Sequence, residues 1–220
     1  MAKNEINAFV IFRSIDTRVQ DLLASPLPST PEETLARVQA LLLYQIIRLF
    51  DGDILARAAA EATTTALCDA ALALMNHITS ESPSIPLSTA AFPLYPVAAA
   101  RDFWSFWIFQ ESARRTVLIT FFFLQTSRML LRQLPIQCDG KLYLCQSWTL
   151  SSHLWNAQDP LEFALAWRDK KHYVVANADF SEVLDGARGD DLEKFGKIFL
   201  TALIGIDEAK GWLLMRGGSL

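Results

Sequence analysis

The chain contains no CxxC, HExxH, GxGxxG, GxxxxGK[ST] or GxSxG pattern. The local signatures of zinc ribbons, metalloproteases, nucleotide sites and serine hydrolases are therefore missing. Cysteine is scarce. Cys68, Cys138 and Cys145 are odd in number and share no zinc-ligand spacing, so they read as free, buried thiols in a reduced compartment, and no metal or other cofactor is expected. Basic charge is not in excess: 20 Lys and Arg face 24 Asp and Glu, for a net charge of −4. A main role in gripping nucleic acid is disfavoured, because phosphate binding needs a basic face. Long hydrophobic runs are missing as well. Val117 to Leu124 is interrupted by Thr120, and a bilayer span needs roughly 18 apolar residues. The start, Met1-Ala2-Lys3-Asn4-Glu5, has an acid where a secretory signal has basic residues followed by an apolar core. No membrane association is expected, and the location is expected to be nuclear or cytoplasmic.

What is abundant is core material. Of 220 residues, 51% are hydrophobic and 11% aromatic, with a mean hydropathy of +0.20. A chain this long and apolar buries most of its unfolded surface. Phe9, Phe12, Ile15, Val19, Leu22 and Leu23 recur at helical spacing, and Ser25-Pro26-Leu27-Pro28-Ser29 ends that segment. Thr30-Pro31-Glu32-Glu33 is a capping-box start. It opens a helix through Leu35, Val38, Leu41, Leu42, Gln45, Ile46 and Leu49, which Gly52 closes. Asp53 caps an alanine-rich helix from Ile54 to about His77. Prolines and serines mark 79–96 as an irregular loop. A long helix runs from about Ala98 to Gln133, and Cys138-Asp139-Gly140-Lys141 reads as a turn or short hairpin within 136–158. Asp159-Pro160 starts a short helix, Phe180 to Asp185 reads as a helical turn, and a last helix spans about Asp190 to Met215. The pattern predicts an all-α chain of about five to seven helices. A single helical domain is expected over 1–220, with 1–29 as N-terminal helix and linker and 30–220 as core.

Candidate chemistry concentrates in the long helix and the segment after it. On a helix, Trp104, Trp107, Ile108 and Glu111 share one side, and Arg114 and Arg115 follow Glu111 at pairing distance. This is an aromatic core stripe with an internal ion pair, or the wall of an aromatic-lined cavity holding one carboxylate and one or two guanidiniums. Of His77, His153 and His172, His153 is the best catalytic candidate, because it falls on an expected loop among Trp148, Trp155 and Cys145.

Four segments in order carry a resemblance. They are Leu43-Tyr44-Gln45-Ile46-Ile47-Arg48-Leu49-Phe50-Asp51-Gly52-Asp53, then Trp107 with Glu111-Ser112-Ala113-Arg114-Arg115-Thr116, then Asn177-Ala178-Asp179-Phe180-Ser181-Glu182-Val183-Leu184, and finally Phe195-Gly196-Lys197-Ile198-Phe199-Leu200 through Gly205-Ile206-Asp207 to Trp212-Leu213. Together they resemble the C-terminal regulatory region of fungal zinc-cluster transcription factors, over roughly residues 35 to 214. The resemblance implies an all-helical regulatory domain, nuclear, often controlling secondary-metabolite genes. Those factors also carry a binuclear zinc cluster of six closely spaced cysteines. This sequence does not contain one, so it is either a fragment or a stand-alone relative.

Two functional readings follow. In the first, the chain is a regulatory or effector module that binds an apolar small molecule or a protein partner, a second copy or a DNA-binding protein among them. In the second, the helical body is a cofactor-independent enzyme of cyclase or isomerase type. Its proton-transfer groups would be Glu111 and His153, its anion-stabilising group Arg115, and its walls Trp104, Trp107, Trp148 and Trp155.

Overall fold

The structure, a computed structural model, describes residues 7–51, 53–79, 94–132 and 147–220. Gly52, most of the 79–96 loop, Pro135, Cys138, Cys145 and the turn at Asp139 to Lys141 lie outside the described residues. The all-α expectation holds. Among the described residues there are ten helices and one two-stranded antiparallel sheet. These divide into two compact units, one of residues 7–51, 53–78 and 112–132, the other of 79, 94–111 and 147–220.

The first unit begins with α1 (Ala8–Ala24) and α2 (Pro31–Phe50). The capping box at the start of α2 forms as expected. Thr30 accepts the Glu33 amide, and the Glu33 carboxylate reaches back to the Thr30 and Ser29 amides. Those amide donors hold the Glu33 carboxyl below its ordinary range. Val38, Leu41, Leu42, Gln45, Arg48 and Leu49 form the buried stripe of α2, which packs on α1, on α3 (Ile54–Ala62) and on α4 (Thr64–Met75).

The alanine-rich segment is two helices, not one. The break is at Thr63, whose φ and ψ are −107° and 5°. Its hydroxyl donates to the Ala59 and Ala60 carbonyls and accepts from the Arg48 guanidinium at 2.6 Å. A long-range contact thus replaces a regular turn at this residue.

The long helix is α5 (Ala98–Leu130), and the boundary between the units falls within it, after Glu111. Six consecutive residues, Ala113 to Leu118, are buried. A run of that kind means burial around the whole circumference, not along one stripe.

The second unit pairs β1 (Ser147–Thr149) with β2 (Val174–Ala176), Trp148 opposite Val175. Between them lie α6 (Ser152–Trp155) and α7 (Pro160–Asp169), with Asp159 capping α7 as expected. Then follow α8 (Ser181–Gly186), α9 (Lys194–Ile204) and α10 (Ile206–Met215). The expected last helix from Asp190 is corrected in two places. Asp191 accepts the Arg188 amide in a turn, and Glu193 caps α9 instead. Gly205, at φ 87°, then separates α9 from α10, a backbone conformation that glycine takes without steric cost.

Candidate functional site

In the second unit α5 contributes Phe103, Trp104 and Trp107 to an aromatic core closed by Leu154, Ala157, Phe163 and Trp167. Trp107 is 1% exposed. Its ring centroid lies 5.2 Å from Phe163 and 6.4 Å from Trp155, an exposed residue. Phe103 meets Trp167 edge-on at 5.1 Å, and Phe163 meets Trp167 at 5.5 Å. Such tilted and edge-to-face pairs add to the stabilisation from burial itself.

The series of rings continues past Trp167. His172 lies 4.6 Å from Trp167 with the planes 34° apart, and His153 follows 6.0 Å from His172. His172 Nε2 bonds the Trp167 carbonyl at 2.9 Å. Burial pushes both imidazoles below their ordinary pKa. For His153, Lys170 adds to the effect, while Asp191 and the Lys171 backbone oppose it. For His172, the Trp167 carbonyl opposes it and His153 adds to it. Both rings are therefore neutral near pH 7.

Trp148 belongs to a different group of rings. It sits edge-on to Phe180 at 6.0 Å and to Phe195 at 5.2 Å, and tilted to Phe199 at 5.7 Å. The residue after it, Thr149, donates its amide to Glu111 Oε1 at 2.8 Å, deep in the interior. Glu111 thus ties α5 to β1. The structure places Trp104 and Trp107 in one aromatic cluster with Trp155 at its edge, Trp148 in another, and His153 at the end of the first. Arg115 is buried on the part of α5 that belongs to the first unit.

The first unit contains a polar cluster that the sequence reading did not place. Arg48 is 1% exposed and reaches Asp16 on α1 at 3.3 Å, Gln45 at 2.9 Å and Thr63 at 2.6 Å. Gln45 in turn donates to the Ala60 carbonyl. Burial lowers the guanidinium pKa, and Asp16 opposes that shift. The available signal was Gln45 and Arg48 falling on the apolar stripe of α2. His172, Phe163 and Trp167 were also missed as members of the aromatic site. A small recess in this unit, bordered by Gln45, Leu49, Phe123 and Leu124, and a shallow groove along Pro26, Leu27 and Arg37 include none of the proposed tryptophans or histidines. No group of three or more metal-ligating side chains, and no helix long and apolar enough to cross a membrane, occurs among the described residues.

No protein-family model matches the chain, and no solved structure matches it. The chain is similar to "Transcription factor gsfR2" of Penicillium aethiopicum, with 31% identity over 213 residues. The match takes in 96% of this chain and 50% of that protein. The chain spans about half the length of the curated relative it matches. Along nearly all of its length, then, this helical chain is similar to one half of a fungal transcription factor.

Proposed function

We propose that the chain is a regulatory module of the fungal transcription-factor type, acting in secondary-metabolite control through a protein partner or an apolar ligand. The observation that carries this reading is the 31% identity to a transcription factor across 96% of the chain. It agrees with the four segments that resemble the regulatory region of zinc-cluster factors.

The disposition of the polar groups supports it. Glu111 Oε1 is committed to the Thr149 amide, and His172 Nε2 is committed to the Trp167 carbonyl. Trp107 and Trp148 stack in separate ring groups. These are the contacts of a packed scaffold, and a regulator needs a scaffold with a surface. Leu43, Ile47 and Phe50 on α2 are exposed apolar side chains at helical spacing, as a helix face that meets a partner would be.

The test is tethering. The full chain is fused to a heterologous DNA-binding domain and directed to a reporter in a fungal host. Reporter transcription should change at least several-fold relative to the DNA-binding domain alone. A well-expressed fusion that leaves transcription unchanged contradicts the proposal.

A further inference from the structure

The histidine pair of the second unit has a property that the regulatory reading does not use. A carbonyl oxygen can only accept a hydrogen bond. His172 Nε2, bonded to the Trp167 carbonyl, must therefore carry the ring hydrogen, which leaves Nδ1 as a bare lone pair. Asp191 and the Lys171 backbone favour charge on His153, but burial outweighs them. His153 Nε2 is buried with no partner among the described residues. His153 Nε2 and His172 Nδ1 are both sealed from solvent, and neither meets a donor or an acceptor among the described residues. In the protonated form each ring carries an N–H at that nitrogen with no acceptor among the described residues, and two such cations lie 6.0 Å apart.

We propose that His153 and His172 form a proton-operated latch within the second unit. Neutral, they hold the connection 170–173 against α6; protonated, they repel each other and release it.

The backbone around the pair makes the release local. Leu150 donates its amide to the Tyr173 carbonyl at 2.7 Å, and the Tyr173 amide donates to Ser151 Oγ at 3.1 Å. Both bonds adjoin His172 in sequence, at the end of the β1–β2 ladder where Thr149 faces Val174. The charged groups around the pair do not supply the missing acceptor. Asp191 favours charge on His153 but makes no hydrogen bond to its Nε2, Lys170 opposes that charge, and the Lys171 ammonium is paired with Glu182 at 2.9 Å. The sign is set by neutral rings in the closed form and ordinary rings in the open form. The open form binds more protons, so the closed form weakens as pH falls below the ordinary value of 6.5. The latch stands independently of the regulatory reading.

The experiment is hydrogen exchange on the full chain between pH 7.5 and 5.5, corrected for intrinsic exchange, on wild type, His172→Phe and His153→Phe. The Leu150 and Tyr173 amides report the latch, and the Leu41 amide in α2 is the reference. Below pH 6.5 the opening constant at Leu150 and Tyr173 should rise by up to about 100-fold per pH unit, because two protons are taken up, and by about tenfold per unit in either variant. Leu41 should stay protected. Unchanged protection at Leu150, an equal slope in all three proteins, or parallel loss at Leu41 overturns the latch. The wild-type ring-proton titration by NMR decides the matter should a variant fail to fold. Both midpoints should lie below 6.5, and midpoints at or above that value overturn it.

Discussion

Glu111 and Ala178 show how much a single position can reveal about what holds this protein together. Glu111 is buried, with its Oε1 on the Thr149 amide at 2.8 Å. Glu111→Ala removes that acceptor and leaves a buried donor unsatisfied, so it should cost about 3 kcal/mol. Glu111→Gln keeps an acceptor oxygen in place and should cost clearly less. Denaturant unfolding of the two variants checks this, and equal losses would mean that charge rather than the hydrogen bond is what matters there. Ala178 lies on an exposed turn with φ 59°, after Asn177 at φ 52°. Asn tolerates this left-handed region through its short polar side chain, but alanine is strained there. Ala178→Gly should therefore stabilise the protein by about 1 kcal/mol, read as a rise in Tm. A drop in Tm would mean that the Ala178 methyl group makes a contact that outweighs the strain.

Elements whose ends are set by local chemistry were legible in the sequence. Thr30 with Glu33, Asp53, and Asp159 with Pro160 each cap the helix they were expected to cap, because a cap depends on residues within one turn. Elements broken by distant contacts were not legible. The pattern over Ile54 to His77 is continuous in alanine, yet Thr63 interrupts it, its hydroxyl held by an arginine fifteen residues earlier. Asp190 and Asp191 look like the acidic first turn of a helix but belong to a turn closed by the Arg188 amide. Close backbone approach is a further contact that sequence pattern does not announce. A Cβ on Gly218 would lie 2.6 Å from the Gly189 Cα, while one on Gly211 in α10 would meet nothing within 4 Å. Gly218→Ala should lower stability by about 2 kcal/mol, because the obstructing atoms are main chain. Gly211→Ala should raise it by about 1 kcal/mol through helix propensity. Thermal unfolding of the two variants should shift in opposite directions, and a shift in the same direction would contradict the packing described for the C-terminal turn.

For the molecule as a whole, composition and periodicity were enough to read an all-α chain, since apolar residues at helical spacing leave little else to form. The candidate site was legible only in part. Trp104, Trp107 and Glu111 share a helix, and helical spacing puts them side by side. Trp148 was grouped with them because it is a tryptophan near His153 in sequence, but strand pairing turns it toward Phe180, Phe195 and Phe199 instead. His172 follows two lysines, and nothing in its sequence neighbours predicts that it stacks on Trp167 and meets His153. Pairings across such distances come from tertiary packing, which local pattern does not encode. Function rests on a property of the whole chain, its similarity over 96% of its length to a fungal transcription factor. The most direct measurement is deletion of the gene in its host, with neighbouring-gene transcripts and metabolites recorded side by side. A regulatory module predicts that transcripts of the controlled genes collapse together and that their products fall with them. Unchanged transcripts, with an intermediate or a wrong isomer accumulating, would contradict that account and move attention to chemistry at Glu111 and His153.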